Sequence, residues 1–293
     1  MHLDKERVLP IIRSALKEDI GKGDITTAAL IDKFMSLKAQ IVTREDCVVC
    51  GLEIAEWLAS QLDYSVRFKP NCGDGDFVGA GKAILFLEGH ASSILKGERT
   101  ILNFLSFLSA IATRTRQFVE KSKPYGVKIM DTRKTIPLMR YLEKYAVYIG
   151  GGTNHRMGLY DQALVKENHI RVKGYGLRVK GLGEKKPLKI LVETVRKKSP
   201  KGAIVEIEVT NIEEFDDALR GKPDIIMLDN MNPREVKGCV DIRRLSKKSA
   251  LLEVSGGITL DNVEEYAKTR IDMISVGSLT NSIKAIDMAL DIT

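Results

Sequence analysis

Residues 131–170 bring together the amino-acid types that bind anions. The polar and charged residues of interest in this stretch are Asp131, Thr132, Arg133, Lys134, His155, Arg156, Lys166, Glu167 and Asn168. An arginine side chain makes planar, two-pronged contacts with a carboxylate or a phosphate, and a lysine adds a mobile positive charge. Cations at this density, on either side of the glycine triplet at 150–152, indicate a ligand that carries several negative charges.

The alternative to a binding site is a solvated basic surface, which is what most runs of charge turn out to be. In this chain, however, the cations do not form an exposed helical stripe. They follow the short apolar runs VKIM (127–130) and ALV (163–165), which have the length and composition of buried strands. Charge at the mouth of a buried strand favours a ligand site over a solvated surface.

From residue 124 onward, short apolar runs alternate with helical segments. The runs are VKIMDT, ALVKEN, AIVEIEVT, DIIMLDN, ALLEVSGG and DMISVGS. Alternation of this kind predicts an α/β fold with a parallel sheet or a β/α barrel. There is no G-x-G-x-x-G motif after the first strand and no G-x-x-x-x-G-K-[ST] motif, so the sequence supports neither a dinucleotide site nor a P-loop.

Each predicted strand ends in polar or small residues. These are Asp131 with Arg133 and Lys134, then Lys166, Glu206 with Glu208, Asp229, Ser255 with Gly256 and Gly257, and Gly277 with Ser278. In a β/α barrel the active site is assembled from the carboxyl ends of several strands. The last two loops also come where such barrels bind phosphate through backbone N–H groups. We therefore expect the active site at this face.

The N-terminal part of the chain predicts an α+β unit. Residues 5–20 and 52–62 have helical spacing, residues 36–46 alternate as a strand does, and two further strands flank the glycine-rich segment NCGDGDFVGAG. A long apolar helix is predicted over residues 92–123. Arg99 is near its start, and its residue pattern alone predicts a packed stem with a solvated head.

The composition limits the possible partners. The chain has 293 residues, enough for one large domain or two moderate ones, and a net charge of +7. Aromatic residues make up 6% and form no repeat with basic ones, which argues against a nucleic-acid stacking surface. Four scattered cysteines predict reduced thiols. No apolar run approaches a membrane span and the start lacks a signal-peptide core, so we expect a cytoplasmic protein.

Several motifs resemble the quinolinate phosphoribosyltransferases, also called carboxylating nicotinate-nucleotide pyrophosphorylases. In chain order they are EDIGKGDITT, GERTILNFL, DTRKT, LEKYAVYIGGGTNHRMGLYDQALVKENHI, VEIEV, MLDN, EVSGGI and VGSLT. The resemblance covers nearly the whole chain. Two features depart from the family pattern: Ile136, Pro137 and Leu138 stand where the family has Thr-Pro-Gly, and the segment 171–189 is unusually basic and raises the question of a lid.

The resemblance implies a two-domain α/β subunit. Residues 1–110 would form an N-terminal α/β sandwich, rejoined by a C-terminal helix at 280–293, and residues 111–279 an open β/α barrel of about seven strands. It also implies a homodimer, or a hexamer built as a trimer of dimers, whose active sites are completed by the neighbouring N-terminal domain. Arg99 would then reach the quinolinate of the partner subunit.

The reaction implied by the resemblance moves phosphoribosyl from phosphoribosyl pyrophosphate to quinolinate. Decarboxylation gives nicotinate mononucleotide, pyrophosphate and CO₂, a step of NAD biosynthesis. The residues implied to bind the two carboxylates of quinolinate are Arg99, Thr132, Arg133, His155 and Arg156. The residues implied to hold the 5′-phosphate are Ser255, Gly256, Gly257, Gly277 and Ser278.

Four charged residues are implied to act at the reacting centre. Lys134 and Lys166 would face anionic groups, with Lys166 on the pyrophosphate side. Glu208 and Asp229 would surround the ribose, stabilise the positive charge that develops on it, and hold Mg²⁺. On the strand itself, Glu206 shares a face with Glu208 and is a secondary candidate.

Other interpretations stay open at this stage. A related protein with the same anion site, such as those linked to molybdate uptake, would act on another acid. An aldolase would use Lys166 as a Schiff-base nucleophile, but that lysine needs an apolar pocket and here has Glu167 and His169 nearby. His155 could be structural, and Asp131 could anchor the strand end or orient Arg133. A nucleic-acid binder would need a basic surface stripe.

Overall fold

A computed structural model describes residues 1–173, 187–246 and 249–293 of the chain. The greater part of the basic segment 171–189, including the possible lid, lies outside these residues. The cysteines at 47, 50, 72 and 239 are all free, as predicted.

The strands and helices of the described ranges follow the sequence pattern closely. The strands are β1 (Ser36–Thr43), β2 (Cys47–Val48), β3 (Arg67–Pro70), β4 (Phe77–Val78), β5 (Ala83–His90), β6 (Lys128–Met130), β7 (Ala163–Val165), β8 (Val205–Val209), β9 (Ile225–Asp229), β10 (Leu251–Ser255), β11 (Met273–Ser275) and β12 (Met288–Ile292). The α-helices are α1 (Lys5–Ile20), α2 (Ile25–Leu30), α3 (Leu52–Leu62), α4 (Ala91–Ser122), α5 (Arg140–Ile149), α6 (Glu167–Lys173), α7 (Leu188–Lys198), α8 (Ile212–Arg220), α9 (Pro233–Ser246) and α10 (Val263–Lys268).

The chain divides into two compact units. The first contains residues 1–116, 135–152 and 279–293, and the second contains residues 117–134 and 153–278. This differs from the predicted division at residue 110, because α4 continues unbroken past that point and because α5 belongs to the first unit.

The first unit has a four-stranded antiparallel sheet in the order β12-β1-β5-β3. Ala39 and Ile41 of β1 and Leu85 and Leu87 of β5 are buried at alternate positions, and burial becomes continuous at the end of β1, where Val42 and Thr43 are buried too. Helix α1 begins at Asp4, whose side chain accepts a hydrogen bond from the N–H of Glu6 and caps the first turn. Asp74 accepts from the N–H groups of Gly51 and Leu52 and so caps α3 from a distant loop.

The predicted C-terminal helix at 280–293 is wrong. Residues 288–292 form strand β12, which pairs with β1 in the register Ala39↔Ile292 to Thr43↔Met288. Methionine, alanine and leucine are good helix formers, but helix propensity is easily overridden by tertiary contacts. Here that preference is outweighed because β12 satisfies the backbone groups along one edge of β1. The segment does belong to the first unit, as the resemblance implied.

The second unit contains a parallel sheet in the order β6-β11-β10-β9-β8-β7. All six predicted strands are present, and helices α7, α8, α9 and α10 lie between successive strands in the chain. The described residues thus contain six strands where about seven were expected, with one isolated parallel bridge between Met130 and Thr153. Because neighbouring strands are parallel, their carboxyl ends meet at one edge of the sheet.

Candidate active site at the carboxyl ends of the parallel strands

The strand ends of the second unit carry the predicted charged residues. Residues 131–134 follow β6, Lys166 follows β7, Glu208 is the fourth residue of β8, and Asp229 ends β9. Ser255 ends β10, and residues 277–279 form a 3-10 turn soon after β11. Arg99 lies elsewhere, exposed on α4 in the first unit. The structure therefore groups every predicted site residue except Arg99 in one unit.

Lys166, Glu208 and Asp229 form a charged group at the ends of β7, β8 and β9. The Nζ atom of Lys166 donates a hydrogen bond to Oε2 of Glu208 at 3.2 Å. Burial, followed by the charge of Glu208, raises the pKa of Asp229, whereas Asn230, Lys166 and Lys134 act in the opposite direction. Two carboxylates in repulsion beside two lysines form a site that additional positive charge would stabilise.

This carboxylate pair fits a magnesium ion. Mg²⁺ in phosphate-transfer sites is held by one or two carboxylates together with substrate phosphates and water. Glu208 and Asp229 supply two such carboxylates. Burial, followed by the charge of Glu208, raises the pKa of Asp229, and a bound divalent cation would offset that repulsion. The donor set therefore agrees with the predicted cofactor.

Asn230, which the sequence analysis did not select, connects the acidic group to the glycine loop. Its backbone has the left-handed φ of 55°, which asparagine tolerates better than most residues. Its Nδ2 donates to Oδ2 of Asp229 at 2.7 Å, and its N–H donates to the carbonyl of Ser255 at 2.8 Å. The available signal was the asparagine that directly follows the acid in MLDN.

Gly256 and Gly257 in this loop need to be glycine for different structural reasons. A Cβ on Gly256 would lie 2.2 Å from Oδ1 of Asn230, so only glycine fits against that side chain. Gly257 has a φ of +65°, and a Cβ there would meet no described heavy atom within 4 Å. Gly256 is therefore a packing requirement, and Gly257 leaves open space beside the backbone for a ligand.

Two arginines in the segments between β6 and β7, Arg133 and Arg156, come close to each other. Burial, followed by the charge of Arg133, lowers the pKa of Arg156. Two neighbouring guanidinium groups are stabilised by an anion that both can contact. The N–H of Lys134 donates to Oγ1 of Thr132 at 3.1 Å, which places Thr132 in the turn and leaves the side chain of Lys134 exposed.

The loop beyond these cations carries the departure from the family pattern. Leu138 has a φ of 69° and is 89% exposed, and it stands where the family has glycine. A left-handed backbone is costly for a leucine. The unusual residue therefore sits in the first unit in a conformation that glycine adopts freely, and it adds an exposed apolar side chain.

The ring of His155 contacts two buried carboxylates. Its side chain is 7% exposed, and its Nε2 atom lies at ion-pair distance from both, 3.3 Å from Oε2 of Glu206 and 3.4 Å from Oε2 of Glu253. Both glutamates are fully buried. The role of His155 in binding the carboxylates of quinolinate stays a prediction.

Asp131 has the anchoring role that was one of its two predicted possibilities. Its Oδ1 accepts from the N–H of His155 at 2.9 Å, and its Oδ2 accepts from Nδ2 of Asn154 at 2.7 Å. The end of β6 therefore holds the segment that presents Arg156. His169, which was left out of the predicted site, accepts the N–H of Lys166 at 3.0 Å through Nδ1.

The fold and the site together define a class of enzyme, one that binds a polyanionic substrate at the carboxyl ends of parallel β/α strands. The family model for the C-terminal domain of quinolinate phosphoribosyl transferase matches residues 111–291, and the model for its N-terminal domain matches residues 24–109. The chain belongs to the quinolinate phosphoribosyltransferase family.

Individual relatives agree over the full length. The chain is 41% identical to a probable carboxylating nicotinate-nucleotide pyrophosphorylase of Methanocaldococcus jannaschii, covering 98% of both chains. It is 36% identical to the carboxylating nicotinate-nucleotide pyrophosphorylase of Mycobacterium leprae, covering 96% of this chain and 95% of the relative. The solved nicotinate-nucleotide pyrophosphorylase from Francisella tularensis superimposes with a TM-score of 0.89 at 39% identity, covering 100% of this chain and 98% of that one. In the described part of the chain, no helix is long and apolar enough to cross a membrane.

Proposed function

We propose that this chain transfers phosphoribosyl from phosphoribosyl pyrophosphate to quinolinate and releases CO₂, giving nicotinate mononucleotide for NAD biosynthesis. The ring nitrogen of quinolinate attacks C1 of the ribose, and the bond from C1 to the pyrophosphate oxygen breaks. The bond from the ring carbon next to the nitrogen to its carboxylate then breaks and releases CO₂, its electron pair stays on that ring carbon, and the carbon takes up a proton from the solvent. The enzyme is a pentosyltransferase. A cytoplasmic location stays a prediction from the sequence.

The cations between β6 and β7 bind the quinolinate carboxylates. Arg133 and Arg156 lie close enough for the charge of one to lower the pKa of the other, so a dicarboxylate that pairs with both removes a repulsion as it binds. Lys134 is exposed beside them and adds a third positive charge. Thr132 holds the turn that presents these side chains.

Lys166, Glu208 and Asp229 act at the ribose and the pyrophosphate. The two carboxylates stabilise the positive charge that develops on the ribose as the bond to pyrophosphate breaks. Lys166, held at 3.2 Å by Glu208, provides an ammonium group for the departing pyrophosphate. A nucleophilic Schiff-base lysine would be held apart from such a carboxylate, so this contact argues against the aldolase. Bound Mg²⁺ would neutralise the phosphate oxygens, with Glu208 and Asp229 as its protein ligands.

The loops after β10 and β11 hold the 5′-phosphate. The space beside Gly257 is open, because a Cβ there would meet no described heavy atom within 4 Å. A phosphate oxygen can therefore approach the backbone N–H of Gly257. Ser255, Gly256, Gly277 and Ser278 complete the loops, with Gly256 packed against Asn230. These positions are where β/α barrels generally bind phosphate.

The active form is an assembly of dimers with shared sites. Arg99 is exposed on α4 in a unit that carries none of the other candidate site residues. An exposed arginine of one subunit can bind a carboxylate in the site of its neighbour. This supports a homodimer, or a hexamer built from three dimers, in which Arg99 of one subunit contacts quinolinate held by the next.

The observation that carries the proposal is the grouping of Lys166, Glu208 and Asp229 beside the guanidinium pair at one edge of one sheet. The test is steady-state formation of nicotinate mononucleotide from phosphoribosyl pyrophosphate, with quinolinate or nicotinate as acceptor and with or without Mg²⁺. We expect turnover with quinolinate and Mg²⁺ only. Turnover with nicotinate, or none with quinolinate in a folded sample that binds phosphoribosyl pyrophosphate, would move the assignment to a relative that uses another acid.

A further inference from the structure

Two buried glutamates lie beneath the proposed catalytic residues of the second unit. Glu206 precedes Glu208 by two positions on β8, and Glu253 precedes Ser255 by two positions on β10. Alternate residues of a strand share a face, so Glu206 faces the same side as Glu208, and Glu253 the same side as Ser255. Both glutamates are 0% exposed, and the strand neighbour of Glu253 on that face is the buried Met227. Buried carboxylates in such surroundings need specific partners.

The ring of His155 lies between these two carboxylates. Its Nε2 atom is 3.3 Å from one and 3.4 Å from the other. The second ring nitrogen, Nδ1, accepts the backbone N–H of Arg156 at 2.7 Å. A nitrogen that accepts a hydrogen bond has a free lone pair, so the proton of the neutral ring is on Nε2, the nitrogen at ion-pair distance from the glutamates.

The same hydrogen bond rules out the most obvious alternative, a metal ion. His155, Glu206 and Glu253 have the residue types of a metal site, and their ligand atoms lie within 4.8 Å of one another. A metal on Nε2 would require the ring proton on Nδ1, where it would meet the N–H of Arg156. The geometry therefore favours a ring that donates from Nε2 over a ring that ligates.

The cluster is connected to Arg156 from two sides. The ring accepts the backbone N–H of Arg156, and Nη1 of Arg156 donates to the carbonyl of Gln162 at 3.0 Å. The side-chain amide of Gln162 donates in turn to Oε2 of Glu206. The backbone of Arg156 is therefore bonded to the His155 ring, which contacts both glutamates. The guanidinium of Arg156 is bonded to Gln162, which contacts Glu206. Arg156 itself is 8% exposed, so its position depends on these contacts.

We propose that Glu253 is a positioning residue of the reaction, which together with Glu206 holds the His155 ring and thereby orients Arg156 toward the quinolinate carboxylate. This inference rests on the proposed function. It predicts that a change at Glu253 weakens the use of quinolinate and leaves the use of phosphoribosyl pyrophosphate intact, because the phosphate loops make no contact with the cluster in the described hydrogen bonds.

The kinetic test uses three variants. Glu253→Met removes the acceptor with little change of volume, Glu253→Gln keeps an acceptor oxygen, and Met227→Leu is the matched control on the same buried face. For Glu253→Met we expect KM for quinolinate to rise at least about tenfold, with KM for phosphoribosyl pyrophosphate within about twofold. Glu253→Gln should recover most of the loss, and Met227→Leu should resemble the wild type. Equal effects of Glu253→Met on both KM values, or no effect on either, would overturn the proposal.

A second measurement does not depend on turnover. Nitrogen NMR of the histidine rings, of which the chain has four, assigns the tautomer of each. At neutral pH His155 should show a protonated Nε2 and an unprotonated Nδ1, and Glu253→Met should change its signals most. A proton on Nδ1 would overturn the proposal even in an active enzyme. If the wild type does not use quinolinate, the proposed function is refuted. The tautomer of His155 still tests, independently of that result, whether the ring lies between Glu206 and Glu253 with its proton on Nε2.

Discussion

Gly256→Ala is the substitution whose consequence can be worked out most fully. The new Cβ would lie 2.2 Å from Oδ1, 2.6 Å from Cγ and 3.0 Å from the backbone N of Asn230. Since carbon atoms pack at about 3.5–4.0 Å, the Asn230 side chain must move by about 1 Å or more. That movement breaks its 2.7 Å hydrogen bond to Asp229.

Two costs add up for this variant. The φ of +97° at Gly256 is unfavourable for alanine by about 1–2 kcal/mol. Loss of the Asn230–Asp229 hydrogen bond costs about 0.5–1.5 kcal/mol. The sum, about 1.5–3.5 kcal/mol, corresponds to roughly 10-fold to 400-fold in an equilibrium or rate constant. Because the loop and Asp229 both serve the phosphoribosyl substrate, we expect the loss in kcat/KM for phosphoribosyl pyrophosphate and in the free energy of unfolding.

The assay is steady-state kinetics against phosphoribosyl pyrophosphate, with thermal unfolding on the same samples. Gly202→Ala is the control, because Gly202 also has a positive φ of +85° but a Cβ there meets nothing within 4 Å. It should lose stability and keep kcat/KM. Asn230→Gly combined with Gly256→Ala removes the clash, so the double variant should lose less than the sum of the single changes. Strict additivity, or a Gly256→Ala enzyme with wild-type kinetics, would refute the role given to this contact.

Three further predictions concern the charged residues. Lys134→Ala should lower kcat at least about 100-fold without lowering the melting temperature, because the side chain is exposed at a strand end, and near-normal turnover would place the site elsewhere. Burial and the charge of Glu208 raise the pKa of Asp229 in the folded protein. Ionised Asp229 therefore lowers the free energy of unfolding at pH values above that pKa, and this loss of stability disappears once the pH is below the pKa of the carboxyl group in the unfolded chain. Asp229→Asn should therefore melt above the wild type at pH 7 and with it near about pH 3, while turnover is lost, whereas equal melting at pH 7 would contradict the shift. Mixed dimers formed from Arg99→Ala and Lys134→Ala subunits should regain about a quarter of wild-type activity, since half of the random dimers are mixed and each of these has one complete site of two. No recovery would count against shared sites.

The sheet of the second unit was predictable because its strands are short, apolar and separated by helical segments. Since neighbouring parallel strands end at one edge of the sheet, the same pattern predicts from the sequence alone that Lys166, Glu208 and Asp229 lie at one site. What the pattern could not show was β12, whose strand conformation depends on the free edge of β1, far away in sequence. A local preference cannot reveal a pairing partner at that distance.

The residues around the site were harder to predict than the charged ones within it. Residue spacing does not single out Glu253, because it lies inside an apolar strand. Its importance depends on its contact with the ring of His155, which is distant in the sequence. The inward orientation of His155 depends on side-chain torsions that spacing does not determine. Asn230 became notable only through its left-handed backbone and its contact with Gly256. Long-range register and local dihedral angles are thus what separate the predicted site from the observed one.

Burial also shapes the cluster below the site in a way that sequence cannot express. Burial of the ring lowers the pKa of His155, but the neighbouring Glu206 and Glu253 outweigh it and raise the pKa of the ring and its two carboxylates as a group. Burial likewise raises the pKa of Glu206.

The proposed reaction joins quinolinate to phosphoribosyl and removes the carboxylate next to the ring nitrogen. It can be followed directly with quinolinate labelled with ¹³C in that carboxylate, incubated with phosphoribosyl pyrophosphate and Mg²⁺. We expect the label to appear in CO₂ in step with unlabelled nicotinate mononucleotide, and only when phosphoribosyl pyrophosphate is present. Label retained in the nucleotide, or released without phosphoribosyl pyrophosphate, would refute this reaction.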